Sequence, residues 1–423
     1  MIKILNAENI KDDDILNRTS AVYPEVEKAV REIIGRVVRE GDRALRELTL
    51  KFDGADVDCF EVSPEETERA FAETDAEFID ILKSAAANIS EFHSMQKRTG
   101  FEIQKDGILL GQRFLPVDRA GIYVPGGTAS YPSTVLMNAI PAKIAGVGEV
   151  IMVTPPDKKG NTKKEILCAA KIAGVDRIFK CGGAQAIAAL AYGTETVPAV
   201  DKIVGPGNIY VATAKKEVFG KTGIDMIAGP SEILIIADGT ADAEYLAADM
   251  LSQAEHDRLA SAVLIVTDRN LGLKTAEELE SQLSALPRAS IAAAAIRDNS
   301  KIIIAQSTEQ AAEISNRIAP EHLELMVDKP EKLLEKIRNA GSVFLGKYSP
   351  EPLGDYFAGP NHTLPTSGTA RFASPLSVDD FIKRSSYIRY GKEALSAVGN
   401  QIMAFAAREG LDAHAAAIKK RLK

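Results

Sequence analysis

Gln253 and His256 are the first residues whose types and spacing suggest chemistry. The apolar spacing from Thr240 to His256 predicts one helix, and Thr240 can cap its start. A rotation of about 100° per residue places Gln253 and His256 roughly 60° apart, on the edge of the apolar stripe. An amide oxygen and an imidazole then point together toward the interior, at the helix end that attracts cations. A histidine that ends a helix and bonds a nearby carbonyl explains the same spacing, so both interpretations stay open.

Four of the five histidines have a carboxylate or an amide nearby in the sequence, at loops or at the ends of predicted elements. Besides Gln253 with His256, the pairs are Glu321 with His322, Asp355 with His362, and Glu409 with His414. Each pair alone is also typical of a surface histidine. Jointly they predict a metal site and an acid–base pair. The remaining His93 ends a predicted helix, and we interpret it as a surface or capping residue.

Composition narrows the class of protein. The chain has 423 residues, 45% of them hydrophobic and 26% charged, which predicts a globular protein of two or three domains. The net charge of -8 disfavours nonspecific binding to nucleic acid or to an anionic membrane. The polar N-terminus lacks the apolar core of a signal peptide, so we expect a cytoplasmic protein. Three cysteines without CxxC spacing predict no disulfide framework, and any metal site must combine distant segments.

Short apolar strands alternate with helices from Phe101 onward, and the same order of elements returns after Ser231. This alternation predicts parallel sheets covered on both faces. Three predicted strand-to-helix turns carry glycines whose backbone N–H groups could hold phosphate oxygens: Gly126-Gly127, Gly182-Gly183 and Gly205-Pro206-Gly207. None is a GxGxxG fingerprint, so nucleotide binding and simple steric need both explain them. A Pro- and Gly-rich loop, 348–374, and a helical tail, 378–423, complete the chain.

The motifs resemble those of the histidinol dehydrogenase family over nearly the full length of the chain. Any one would be weak evidence, but their number, order and spacing fit this family. The matching segments are Gly121–Gly127, Gly182–Ile187, Val204–Asn208, Ala228–Glu232, Gln253–Asp257, Pro320–His322, and Gly354–Tyr356 with its sequel Gly359–His362.

The resemblance implies an α/β fold of two incomplete Rossmann-like units with parallel sheets. Small N-terminal and C-terminal helical segments would be exchanged between the subunits of a homodimer. The expected domains are an N-terminal arm (1–20), a discontinuous larger α/β domain (21–122 and 231–376), an NAD-binding Rossmann-like domain (123–230) and a C-terminal helical tail (377–423).

The resemblance also implies that the chain oxidises L-histidinol to L-histidine with two NAD+ and one Zn2+ per subunit. Zinc would be held by Gln253, His256, Asp355 and His414, the last from the neighbouring subunit. Glu321 and His322 would move protons, Ser231 and Glu409 would seat the substrate together with the metal and proton-transfer residues, and Tyr123, Gln185 and Asn208 would contact NAD.

Oxygen and imidazole ligands suit zinc, and adjacent side chains of an extended segment point opposite ways. Glu321 and His322 are therefore expected to serve different faces of the reaction centre.

Two alternatives to this function stay open. A cysteine-dependent aldehyde dehydrogenase would use Cys181, before Gly182-Gly183, as its nucleophile, and a non-enzymatic zinc-binding module would leave the glycine turns unexplained.

Overall fold

The computed structural model describes residues 2–10, 24–126 and 130–422. They form two compact units, one from Met1–Gln96 with Asp118–Phe381 and the other from Lys97–Val117 with Ile382–Lys423.

The strands, numbered in chain order, are β1 (Lys3–Asn6), β2 (Phe101–Lys105), β3 (Ile108–Pro116), β4 (Arg119–Tyr123), β5 (Glu149–Thr154), β6 (Arg177–Lys180), β7 (Lys202–Val204), β8 (Gly223–Ile224), β9 (Glu232–Ala237), β10 (Ser261–Val266), β11 (Lys301–Ile304), β12 (His322–Met326), β13 (Ser342–Leu345) and β14 (Ile382–Tyr390).

The described α-helices are Pro24–Glu40, Asp42–Asp53, Pro64–Ala72, Ala76–Ser94, Pro132–Ala145, Lys164–Ala173, Gly183–Tyr192, Ile209–Val218, Ala243–Ala254, Arg269–Leu283, Ala289–Asp298, Thr308–Ile318, Pro330–Leu334, Glu351–Tyr356, Lys392–Arg408 and Asp412–Arg421.

A six-stranded parallel sheet in the first unit has the order β1-β11-β10-β9-β12-β13. Every residue of β9, β10 and β12 is buried, as expected for central strands covered on both faces. Parallel register sets His322 beside Ile233, so β9 and β12 begin side by side. The predicted N-terminal arm contributes β1 to the edge of this sheet, and its residues 11–20 lie outside the described residues.

A second parallel sheet of the same unit has five strands in the order β6-β5-β4-β7-β8. The described glycines of the predicted turns follow the carboxyl ends of β4, β6 and β7, where ligands of open α/β sheets usually bind. Helix Gly183–Tyr192 begins at one of these turns, and Asn208 caps helix Ile209–Val218 at another. The predicted parallel α/β character is confirmed.

The second unit contains an antiparallel sheet, β14-β3-β2, and the last two helices. β14 pairs with β3 along all nine residues, from Ile382 opposite Pro116 to Tyr390 opposite Ile108. After a short 3-10 helix at Val378–Phe381, the tail forms β14 and is α-helical only from Lys392 onward, because β14 completes a sheet begun much earlier in the chain.

A buried ion pair fixes the turn after β7. The ammonium group of Lys215 contacts the carboxylate of Asp225, and both side chains are almost fully buried. Lys215 Nζ also donates to the carbonyl oxygen of Gly205 at 2.8 Å, and Asp225 accepts from the Gly205 N–H at 2.8 Å. Gly205 has φ +114°, and a Cβ there would lie 2.2 Å from the carbonyl oxygen of Tyr123, so the turn requires glycine.

Replacing Lys215 with Met should lower the free energy of unfolding by roughly 3–5 kcal/mol, because Asp225 would remain buried without its partner. Lys216→Met is the matched control. That neighbouring side chain is 54% exposed and pairs with Glu27 at the surface, a contact worth less than about 1 kcal/mol. Guanidinium-induced unfolding followed by circular dichroism measures both variants, and equal stabilities would contradict the structural role of the pair.

Candidate active site

Glu321 and His322 are both held by the backbone of Glu232, the first residue of β9. The Glu232 N–H donates to Glu321 Oε2 at 2.8 Å, and the Glu232 carbonyl oxygen lies 3.1 Å from His322 Nδ1. A proton on Nδ1 satisfies that carbonyl, so in the neutral ring Nε2 keeps its lone pair and can accept a proton. The carboxylate and the ring lie 3.7 Å apart, so the two side chains do not point opposite ways as predicted. The reason is that Glu321 precedes β12 and lies outside its regular pleat.

Burial disfavours the charged form of both groups and shifts their pKa values in opposite directions. It raises the pKa of Glu321 well above its usual range, and the nearby carboxylates of Glu232, Asp355 and Glu351 raise it further, against the lowering effect of the Glu232 N–H. Burial lowers the pKa of His322, which keeps the ring neutral and able to accept a proton. The pair thus combines a carboxyl group whose affinity for protons is increased with a neutral imidazole.

His256, Glu351 and Asp355 bring one possible ligand atom each into a cluster whose atoms all lie within 4.8 Å of one another. His322 Nε2 adjoins this cluster, 4.0 Å from Glu351 Oε1 and 4.0 Å from Asp355 Oδ1. His256 is exposed and lies beyond the last residue of its helix, which spans Ala243–Ala254 rather than the predicted Thr240–His256. Its imidazole therefore faces an accessible side of the cluster instead of the interior.

The buried polar atoms around this cluster fit a metal ion. Gln253 is completely buried, and neither atom of its amide has a hydrogen-bond partner among the described residues. Ser252, its neighbour in the same helical turn, donates to Glu351 Oε2 at 2.9 Å. An unsatisfied buried amide costs roughly 1–3 kcal/mol, so Gln253 is suited to a ligand that it contacts when the site is filled. The donor set of carboxylate, amide and imidazole matches zinc.

His362 connects this region to a helix of the other sheet. Its Nδ1 lies 3.1 Å from the carbonyl oxygen of Asp355, and its Nε2 lies 3.4 Å from Thr134 Oγ1 in helix Pro132–Ala145. Burial lowers its pKa to about 4. Both ring nitrogens are thus engaged within the protein, which is the arrangement of a residue that orders its loop and holds Asp355.

Sequence reasoning missed a layer of buried carboxyl groups beneath the cluster. Glu324 accepts from the Glu351 N–H at 2.8 Å, and the neighbouring carboxyl group of Asp249 raises the pKa of Glu324. Burial raises the pKa of both groups, so the pair shares a proton more readily than exposed carboxyls do. The signals were present: Glu324 interrupts the apolar run of β12, and Asp249 stands one helical turn before Gln253.

The chain matches known proteins along nearly its whole length. A family model described as histidinol dehydrogenase matches residues 16–422. A histidinol dehydrogenase of Bacillus cereus is 56% identical over 400 residues, covering 94% of this chain and 93% of that protein. One from Geobacillus kaustophilus is 52% identical over 421 residues, covering 99% of each. A crystal structure of histidinol dehydrogenase from Elizabethkingia anophelis superposes with a TM-score of 0.94 at 41% identity, covering 100% of this chain and 98% of that one.

The chain belongs to the histidinol dehydrogenase family. The predicted resemblance is confirmed by these matches. Within the described residues, no helix is long and apolar enough to cross a membrane.

The residues that the family resemblance assigned to NAD lie along the carboxyl edge of the five-stranded sheet. Tyr123 ends β4, and its Oη accepts from the Gly183 N–H at 3.0 Å. Gln185 is buried, and its Nε2 has no partner among the described residues. Asn208 is exposed and uses its side-chain oxygen to cap the following helix. Gln185 and Asn208 thus follow the glycine turns after β6 and β7, and Tyr123 contacts the first of these turns.

Cys181 lies at the carboxyl end of β6 and is completely buried. Burial raises the pKa of its thiol, and the carboxylates of Asp53 and Asp42 raise it further. A nucleophilic cysteine needs a lowered pKa and access to substrate, so this environment disfavours the thiol mechanism that the sequence left open.

Two further family positions lie in the second unit. Glu409 follows the last residue of helix Lys392–Arg408, His414 lies in helix Asp412–Arg421, and both side chains are exposed. Ser231, assigned to the substrate, is half-buried and directly precedes β9.

His93, which we interpreted as a surface or capping residue, lies in the last turn of helix Ala76–Ser94 but is completely buried, so the surface interpretation is wrong. Its Nδ1 lies 2.7 Å from Gln96 Oε1 in the next turn, and this hydrogen bond offsets part of the free-energy cost of burying the polar ring.

Proposed function

We propose that this chain oxidises L-histidinol to L-histidine through L-histidinaldehyde, using two NAD+ and one zinc ion per subunit. The observation that carries the proposal is the junction of His322 Nε2 with the ligand cluster of His256, Glu351 and Asp355. It brings a proton acceptor next to a set of atoms suited to a metal. Membership of the histidinol dehydrogenase family supports the substrate.

Gln253, His256 and Asp355 would hold the zinc ion, together with His414 of the neighbouring subunit. The bound ion would take the imidazole and amine nitrogens of the substrate and so fix its alcohol carbon near the nicotinamide. Ser231 and Glu409 would complete the substrate site.

His322 would accept the hydroxyl proton through Nε2 while its Nδ1–H stays on the Glu232 carbonyl. A fixed tautomer of this kind keeps the lone pair aimed at one position. Glu321, whose pKa is raised by burial, would take a proton from water as the aldehyde is hydrated. Because the backbone of one residue, Glu232, anchors both side chains, the two proton tasks would take place within a few ångströms of each other.

Tyr123, Gln185 and Asn208 would contact NAD at the glycine turns of the five-stranded sheet. Backbone N–H groups at such turns suit phosphate oxygens. The unpartnered Gln185 Nε2 supports this assignment, since a buried amide N–H needs an acceptor.

NADH formation from L-histidinol and NAD+ tests the function. We expect turnover to stop when a chelator removes the metal and to return when Zn2+ is added. Cys181→Ser should remain active, because the buried thiol takes no part. Turnover that survives complete metal removal would contradict the zinc-dependent mechanism. Collapse of turnover in Cys181→Ser, with normal folding and zinc content, would restore the covalent mechanism, and absence of NADH under all conditions would favour a binding module.

The roles of Glu321 and His322 should separate when L-histidinaldehyde is supplied directly. Glu321→Gln should oxidise the aldehyde about 100- to 10,000-fold more slowly, since it lacks the group that activates water, and it should lose less in alcohol oxidation. His322→Ala should lose activity in both steps. The rate of NADH formation from each substrate is the measurement. If Glu321→Gln handles the aldehyde as well as the unmutated enzyme does, the role given to Glu321 is wrong.

We further propose a homodimer in which the C-terminal tail completes the neighbouring site. Apolar side chains of the second unit, Ile388 and Phe405, are 74% and 70% exposed, which suits a surface covered by another subunit. His414 and Glu409, the tail residues assigned to metal and substrate, are also exposed.

Mixing His256→Ala with His414→Ala tests this exchange, since each variant alone should be inactive. After subunit exchange, a mixed dimer would hold one site with both lesions and one with neither, so about a quarter of all sites should regain activity. Turnover before and after exchange, with exchange confirmed by differently tagged subunits, is the measurement. No recovery would mean that the tail serves its own subunit.

A further inference from the structure

Glu351 is a buried carboxylate whose two oxygens have different surroundings. The residue is 1% exposed. Its Oε2 accepts from Ser252 Oγ at 2.9 Å, and its backbone N–H donates to Glu324 Oε1 at 2.8 Å. Its Oε1 is buried and has no hydrogen-bond partner among the described residues. Oε2 is thus held by the Ser252 hydroxyl, whereas Oε1 is directed into the ligand cluster.

The free oxygen faces groups that a cation would bring together. Oε1 lies 4.0 Å from His322 Nε2, too far for a hydrogen bond. Glu351 and Asp355 also bring their carboxylates into the same small cluster with His256. Two ionised carboxylates at such a distance repel each other, and a buried unpaired oxygen is costly. A divalent cation between them removes both penalties.

We infer that Glu351 is a ligand of the metal before substrate binds. This inference rests on the proposed function, because it concerns the same zinc site. The substrate brings two nitrogens that need positions on the metal, and Glu351 occupies such a position until they arrive. The Ser252 hydroxyl holds Oε2, so Oε1 is the oxygen that is free to bind the metal. Neither the sequence motifs nor the family resemblance assigned a role to this residue.

Zinc affinity without substrate tests the assignment. Metal-free unmutated enzyme, Glu351→Gln and the matched control Glu331→Gln, an exposed glutamate of the same unit, would each compete with a chromophoric chelator for Zn2+. Loss of a partner that only supports a ligand costs about 10- to 100-fold in metal affinity. If Glu351 is a direct ligand, Glu351→Gln should lower the Zn2+ affinity by more than about 100-fold, whereas Glu331→Gln should bind Zn2+ as tightly as the unmutated enzyme does.

Two further readouts separate a ligand from a structural group. The visible absorption of the Co2+-substituted enzyme reports coordination, and we expect Glu351→Gln to change it while Glu331→Gln does not. Saturating L-histidinol should shrink the affinity loss of Glu351→Gln, because the substrate replaces the same ligand. If Glu351→Gln fails to fold, Glu351→Asp is measured instead, because its shorter side chain keeps the charge but moves the carboxylate away from the cluster. The same changes in Zn2+ affinity and Co2+ spectrum are expected.

An unchanged Zn2+ affinity with an unchanged Co2+ spectrum would overturn the inference, and so would an equal affinity loss with and without L-histidinol. These outcomes differ from failure of the proposed function, in which the unmutated enzyme itself would bind no zinc or would not oxidise histidinol.

Discussion

The parallel pairing of β9 with β12 is the constraint on which the candidate site depends. It aligns the amino ends of two central strands, so the backbone of Glu232 meets the side chains of Glu321 and His322. Peptide groups in a sheet are held by the ladder on both sides, which makes them more rigid anchors than side chains. The same strand carries Glu324, whose carboxyl group bonds the backbone of Glu351. The pairing of β9 with β12 thus positions Glu321 and His322 through the backbone of Glu232. It also positions Glu351 of the ligand cluster through Glu324.

Two edges of opposite polarity meet in the first unit. Glu321 and His322 lie at the amino end of the six-stranded sheet, whereas the glycine turns lie at the carboxyl end of the five-stranded sheet. The loop after helix Glu351–Tyr356 connects them, since His362 contacts Thr134 and the Asn361 amide donates to the Met137 carbonyl at 2.6 Å. The proposed hydride transfer would need such a junction, because the proposed proton-transfer groups lie at one edge and the glycine turns suited to phosphate lie at the other.

Local sequence pattern predicted the elements but not the contacts between them. The alternation of apolar strands and helices was sufficient for the parallel sheets, and helical spacing predicted the burial of Gln253. The exposure of His256 was missed because the helix ends at Ala254, a boundary that periodicity sets only loosely. The orientation of Glu321 was missed because its partner, Glu232, belongs to a distant strand. Glu324 interrupts an apolar strand and Glu351 begins a short helix, and their joint role was missed because the contact between them forms only in the folded chain.

The sheet of the second unit has a consequence for synthesis on the ribosome. β2 and β3 leave the ribosome early, but β14, which covers the other edge of β3, is among the last segments made. At about 5–20 residues per second, that edge waits on the order of ten seconds or more for its own chain. During this time an unpaired strand can capture a foreign one. Gly111 favours the correct strand over a foreign one. A Cβ at this position would lie 2.1 Å from the ring of Tyr387, so only a glycine leaves room for the tyrosine that β14 places opposite it.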